Sequence, residues 1–491
     1  MLSRITAFVV AVLLLTGSLV MAQQDRTCHE NEFDCFTILV GKNASDNGAV
    51  YFAHNEDDYG KQLVNWFVQE ERFYHEGEEV VLKNGGRLNQ VERTNRFLWL
   101  EMPGMDFADS YMNQHGVTIG SNSCPSREDQ PEITDGGIGY RLRGLMAERS
   151  VSARDAVRIA GELIERFGYT GSGRTYSIAD PNEAWALSVV RGKHWVAQRI
   201  PDDAVMVLPN YYTMTSVNLL DKDNFMGSAD LIDYAVKRGW YDPERDGEFN
   251  FRKAYADPGS LKHPGNINRA WGAYHLLKTG FTIDQEFPFT IIPYKKLGKK
   301  DLMDILAFHY ENTPLDKSEG YTKGSPYELN GSMICGKATV YGFVAELRNW
   351  MPVDVGCLWW LAPQWPDIQP FIPWYAGMTS MPDEFARPGY FNSFADHYSP
   401  PEDIHVRDDH HAFWAFVNFS DLMNQHYGQM IPKVRRSKQQ IESVLLGKQE
   451  RVEAKAMKLY QEDPEKGNEF LTRMTHKLAK QTLKKTRKYL N

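Results

Sequence analysis

Cysteine is scarce in this chain. Five residues in 491, Cys28, Cys35, Cys124, Cys335 and Cys357, are too few for the disulfide framework of a small exported fold, and the odd count leaves at least one thiol unpaired. Several signatures are missing as well. There is no Gly-x-Ser-x-Gly elbow, no phosphate loop ending in Gly-Lys-Ser/Thr, no His-Glu-x-x-His and no Cys-x-x-Cys, which sets aside the nucleophile-elbow hydrolases, P-loop nucleotide binding and the commoner zinc sites. Positive charge is in deficit: a net charge of -9 argues against nucleic acid or an anionic membrane as the main partner. The acid-free tail from Arg473 to Asn491 is a local exception and reads as a solvated helix face. No Gly/Ser-rich or Pro-rich linker and no internal repeat interrupts the chain, and beyond the N-terminal leader no apolar run is long enough to span a bilayer.

What is present is a leader and a large core. One cation within Met1 to Arg4, the apolar run Ile5 to Val20 and the sequence Val20-Met21-Ala22 form an export signal cleaved after Ala22. A periplasmic or extracellular protein with no stable membrane insertion is therefore expected, with residues 1–22 as signal peptide. The remainder, in a chain with 42% hydrophobic and 12% aromatic residues, has the composition of a globular protein.

The β-favouring runs Cys35 to Val40 and Ala49 to Ala53 flank a segment ending in Asn47-Gly48, a hairpin signal. Antiparallel pairing would return His54-Asn55-Glu56-Asp57 to the neighbourhood of Cys35. Phe97 to Leu100 and Gly116 to Gly120 read as further strands. Ala156, Val157, Ile159, Ala160, Leu163, Ile164 and Phe167 repeat at helical spacing between a capping Ser152 and a terminating Gly168. Four runs then follow as a meander, Arg174 to Ala179, Ala184 to Val190, His194 to Ile200 and Ala204 to Leu208, separated by turn chemistry. Sheet on both sides of a helical segment without β-α alternation indicates an α+β fold. From Ile441 onward the chain reads as helix.

The unpaired thiol has a chemical use at a chain terminus. If a cut between Asp34 and Cys35 removed residues 23–34 as a pro-segment, the α-amino group of Cys35, with a reference pKa of about 7.7 to 8.0, would be able to take the thiol proton. Placement at the head of a strand keeps that terminus from fraying. On the residues alone, two blander readings compete: a buried small hydrophobe, or a disulfide between Cys28 and Cys35. Asp408-Asp409-His410-His411 is the densest run of metal-ligand types and reads as a solvated acidic loop. Cys124, Cys335, Cys357 and the cluster Trp359, Trp360, Trp365 and Trp374 read as core.

The stretch CFTILVGKNASDNGAVYFAHNED resembles the amino-terminal signature of the cysteine dipeptidases of the N-terminal nucleophile (Ntn) hydrolase superfamily. The resemblance continues through EMPGMDFADSYMNQHGVTIGSNSCPSRED, GRTYSIADPNEAWALSVVRGKHWVAQRIPDDAVMVLPNYYT and ATVYGFVAELRNWMP. It implies a four-layer αββα sandwich over residues 35–440, with a helical C-terminal addition at 441–491, and a dipeptide or short-peptide substrate. It requires no cofactor or metal and leaves a homo-oligomer open. Residue by residue it implies Cys35 as nucleophile, Asp57 as the acid that meets the terminal amine, Asn210 as oxyanion donor, Asn122 as a second donor and Arg269 as an arginine beside the nucleophile. His54 stands where the family usually has arginine, exchanging a permanent charge for one that is partial near neutral pH. Two alternatives remain at this point: an N-acyl amide hydrolase like the choloylglycine and penicillin V acylases, or a non-catalytic binding protein whose Cys35 stays covered.

Overall fold

In a computed structural model the structure describes residues 35–58, 63–105, 109–386 and 394–491. The expected leader and pro-segment, with Cys28, lie outside the described residues. The hairpin forms as expected, from β1 (Phe36–Val40) and β2 (Val50–Asp57). Gly48 adopts a φ of 86° at the turn, a conformation that costs glycine little, and the Asn47 carboxamide accepts from the Ala49 N–H. The second strand runs on through His54-Asn55-Glu56-Asp57. Those polar residues are thus extended backbone facing both sides of a sheet, where the sequence reading had only a strand end.

Two antiparallel sheets are built around this hairpin. The strands β3 (Thr118–Ser123), β4 (Tyr169–Ala179), β5 (Ala184–Gly192) and β6 (Trp195–Arg199) form a consecutive run within an eight-stranded sheet. Its other strands are Phe225–Gly227, beyond β6, and Ser110–Asn113, Phe97–Glu101 and Asn65–Gln69, beyond β3. The fourth run of the expected meander departs from it. As β7 (Val205–Leu208) it joins the seven-stranded sheet, pairing with β1 in the register Thr37↔Leu208. The turn at Pro201-Asp202-Asp203 sets a chain reversal, but turn chemistry does not specify which sheet receives the next strand. The open side of β1 decided that. On the other side of the hairpin β2 pairs with β8 (Thr339–Leu347), followed by Cys357–Pro363 and Ile372–Tyr375.

The sheets face each other closely enough that a Cβ on Gly120 would stand 3.0 Å from the Phe52 ring. On the outer face of the eight-stranded sheet lie α1 (Arg141–Arg149) and α2 (Ala153–Phe167), whose Leu145, Val157, Ile164 and Phe167 pack on Ile119, Tyr176 and Leu187. The caps of α2 are those read from the sequence: Ser152 accepts from the Asp155 N–H, and Gly168 closes the helix. Outside the seven-stranded sheet, α3 (Pro264–Leu277) lies against β7, and α4 (Lys299–Leu306) against β2 and β8. The architecture is the expected αββα sandwich.

The C-terminal helices are α5 (Ala412–Leu446), α6 (Gln449–Glu462) and α7 (Pro464–Leu490). Helix therefore begins well before the expected Ile441. Pro432, which reads as a breaker, is absorbed inside α5, and the backbone departs from helical geometry at His426. Among the described residues no helix is long and apolar enough to cross a membrane.

Candidate active site

The register Phe36↔Asn55 and Thr37↔His54 brings Cys35 opposite Glu56, and side-chain alternation puts Cys35 and Thr37 on the same face as His54 and Glu56. Cys35 is buried, and its thiol donates to Glu56 Oε1 at 3.2 Å and to the Asp57 main-chain oxygen at 3.6 Å. Burial first, then the carboxylates of Glu56 and Asp57, push this thiol well above its usual range. In this arrangement it is a protonated thiol.

The Cys35 carbonyl is clamped. It accepts from Asn122 Nδ2 and from Arg269 Nη1, each at 2.8 Å. Arg269, on α3, is wholly buried, and its Nη2 donates to Asn210 Oδ1 at 3.0 Å and to Asn266 Oδ1 at 2.8 Å. One guanidinium thus holds both the Cys35 backbone and the Asn210 carboxamide. With its oxygen engaged, Asn210 Nδ2 is a buried donor without a hydrogen-bond partner among the described residues, which is the state an oxyanion donor needs before charge develops. The expectation for Asn122 needs correction. Its Nδ2 hydrogens are spent on Cys35 O and Leu208 O (3.0 Å), and its Oδ1 accepts from Thr37, so no hydrogen is left for an oxyanion.

The expected placement of His54 is corrected as well. It meets the thiol only through Glu56, with Nε2 3.0 Å from Glu56 Oε2 and Nδ1 2.7 Å from Thr37 Oγ1. Because the Thr37 hydroxyl donates to Asn122 Oδ1 at 2.6 Å, its oxygen must accept from His54 Nδ1–H. Nε2 and Glu56 Oε2 then share a single proton, as imidazolium and carboxylate or as imidazole and carboxylic acid. The Asp57 carboxylate lies beside Gly336, where a Cβ would stand 3.4 Å from Oδ2. Cys35, His54, Asp57, Asn122, Asn210 and Arg269 are therefore gathered at one end of the sandwich. Sequence reasoning missed Thr37 and Glu56, although both lie two residues from positions it had singled out and on the same strand faces.

Asp58 was missed too. It is fully buried, both carboxylate oxygens lack a hydrogen-bond partner among the described residues, and burial together with Glu56 pushes its pKa up to about 8.

Cys124, Cys335 and Cys357 are buried free thiols. Among the described residues His309, Cys335 and Asp367 bring potential ligand atoms within 4.8 Å of one another, with Asp367 accepting from the hydroxyls of Tyr327 (2.6 Å) and Tyr427 (2.5 Å). In the Asp408 to His411 run, the first three residues are exposed. The exception is His411, which is buried, caps α5 and contacts Asn65 Oδ1 at 3.0 Å.

A thiol heading an inner strand of an αββα sandwich, clamped through its own carbonyl by the arginine that holds an amide donor, defines a cysteine hydrolase of the Ntn architecture. Comparison with known proteins gives the family. The sequence model of peptidase family C69 matches residues 106–440, and the chain belongs to that family; it is a cysteine-type peptidase. Relatives include a "Probable dipeptidase" of Salmonella dublin, 26% identical over 359 residues (70% of this chain, 81% of the relative). Another is "Dipeptidase A" of Lactobacillus helveticus, 26% identical over 392 residues (73% and 78%). Among solved structures, a mutant of conjugated bile acid hydrolase from Clostridium perfringens aligns with 11% identity and a TM-score of 0.26, over 67% of this chain and 89% of that one.

Proposed function

We propose that the protein is an exported dipeptidase that acts through a mature N-terminal Cys35. The observation that carries this reading is the Arg269 guanidinium, which grips the Cys35 carbonyl and the Asn210 Oδ1 together, with Asn210 Nδ2 an unused donor among the described residues. Family membership and the names of the relatives support the substrate class.

In the proposed reaction the α-amine of Cys35 takes the thiol proton, and the sulfur attacks the carbonyl carbon of the N-terminal residue. The carbonyl π pair moves to oxygen, where Asn210 Nδ2 donates to it. Collapse breaks the C–N bond, and the leaving amine of the second residue takes the proton from the Cys35 ammonium. Water, deprotonated by the same amine, then attacks the thioester and releases the first amino acid with the thiol restored. Arg269 and Asn122 keep the Cys35 backbone in place throughout.

Amino-terminal sequencing of active enzyme recovered outside the cytoplasm should return Cys35, and Gln23 there would overturn the processing step. Cys35→Ala should keep the fold while dipeptide turnover falls by about 10⁴-fold or more. A folded variant that still hydrolyses dipeptides would refute the mechanism.

A further inference from the structure

We propose that Asp58 receives the free α-ammonium group of the substrate's N-terminal residue, and thereby restricts this enzyme to peptides with an unblocked amino end. The inference rests on the dipeptidase reading above and adds the residue that makes the selection. Buried carboxylates in folded proteins are paired or hydrogen-bonded, and one that is neither calls for an explanation. Asp58 is fully buried, and neither of its oxygens has a hydrogen-bond partner among the described residues. Its main-chain N–H continues the β2–β8 ladder, donating to Ala338 O at 2.9 Å, so the backbone is held in place while the carboxyl is not engaged.

The charges acting on that carboxyl are Glu56, Arg174 and Asp109. Two are acids. Arg174 is already bound to the Tyr169 hydroxyl at 3.1 Å and to Ser121 Oγ at 3.0 Å. Asp58 is thus buried beside two other acids and an arginine that is engaged elsewhere, with no ion-pair partner of its own among the described residues.

Its position fits the chemistry. Asp58 follows Glu56 by two residues, about 7 Å along an extended strand, and Glu56 Oε1 is 3.2 Å from the Cys35 thiol. In an α-amino acid the nitrogen lies about 2.5 Å from its own carbonyl carbon. A substrate carbonyl within about 3.5 Å of the thiol therefore holds its ammonium group within reach of the zone bounded by Glu56 and Asp58. An N-acylated substrate brings no cation there and leaves the Asp58 carboxyl unpaired.

The test compares Ala-Ala with N-acetyl-Ala-Ala as substrates of wild-type and Asp58→Asn enzymes. The substitution should lower kcat/KM for the free dipeptide by about 30-fold or more, mainly through KM, and leave the slower acetylated reaction unchanged or faster. A second measurement does not depend on the variant's activity: calorimetric binding of Ala-Ala to Cys35→Ala at pH 7 in buffers of different ionisation enthalpy. Ammonium binding should ionise a neutral Asp58 carboxyl and pass its proton to the buffer, and the release should vanish in Cys35→Ala/Asp58→Asn. Wild-type enzyme that cleaves only the acetylated peptide would overturn the dipeptidase reading and this assignment together. Wild-type cleavage of Ala-Ala that Asp58→Asn matches, or binding without proton release, would overturn the assignment alone.

Discussion

Cys35 donates its thiol hydrogen to Glu56, which in turn shares one proton with His54, so the charge next to this thiol is set by a pair of residues. While the shared proton is present the pair is neutral. An arginine at position 54 would set a permanent cation against Glu56, so His54→Arg should change dipeptide kcat/KM severalfold at fixed pH. An unchanged kcat/KM, or a variant that is inactive because a guanidinium does not fit between Phe52 and Phe343, would dismiss the pair as a charge regulator. Asp58 allows a second prediction. Its folded-state pKa of about 8 lies above the ordinary 3.8, so the folded protein retains a proton that the unfolded chain releases. The contribution of Asp58 to stability is intact below about pH 4 and falls as pH climbs toward 8. Asparagine does not titrate. In chemical denaturation Asp58→Asn should be near neutral at about pH 4 and stabilising by order 1–4 kcal/mol at about pH 8, and a gap that does not grow with pH would contradict the burial argument.

Single elements carry their own signals and also hide some. Ser152 and Gly168 delimit α2 from local chemistry alone, which is why its ends were legible. Gly161 inside the same helix was not. Helix propensity favours alanine there by about 1 kcal/mol, yet a Cβ on Gly161 would stand 2.1 Å from Trp195 Cζ2, on a ring held by its Nε1–H donating to Glu165 at 2.9 Å. Overpacking of this kind costs about 1–3 kcal/mol. Gly161→Ala should therefore be destabilising by at least about 1 kcal/mol in urea denaturation, against the sign that propensity gives, and a stabilised variant would mean that Trp195 moves freely. The hairpin shows the same division. Its turn and its two strands follow from Asn47-Gly48 and the apolar runs, whereas the pairing that puts Glu56 rather than His54 beside the thiol depends on the exact register and on a partner strand, β7, that lies far along the chain.

The whole molecule ties its C-terminal helices to the sheet that carries the site. Arg348, just past the end of β8, is buried and forms a bidentate pair with Glu453 of α6, both contacts at 2.7 Å. Gln449 donates to Glu346 at 2.8 Å, and Glu346 also accepts from Asn47 in the hairpin loop. Removing one partner of a buried pair strands the other charge, at a cost of about 3–5 kcal/mol. Glu453→Ala should lower the midpoint of thermal unfolding of the entire protein in a single transition. If instead α6 and α7 melt alone and dipeptide hydrolysis survives, those helices are an appendage to the fold.

The sequence alone determined the hairpin, the caps of α2, the layered α+β class, the family and the set of residues around Cys35, because periodicity, turn chemistry and long collinear motifs are local properties. Tertiary structure decided what those residues do to one another. Asn122 became a backbone clamp rather than an oxyanion donor, Arg269 took the oxygen of Asn210, His54 was set behind Glu56, and neither Asn210 Nδ2 nor the buried Asp58 carboxyl found a hydrogen-bond partner among the described residues. Hydrogen-bond partnership and desolvation depend on which groups from distant strands and helices converge, and no local pattern encodes that convergence.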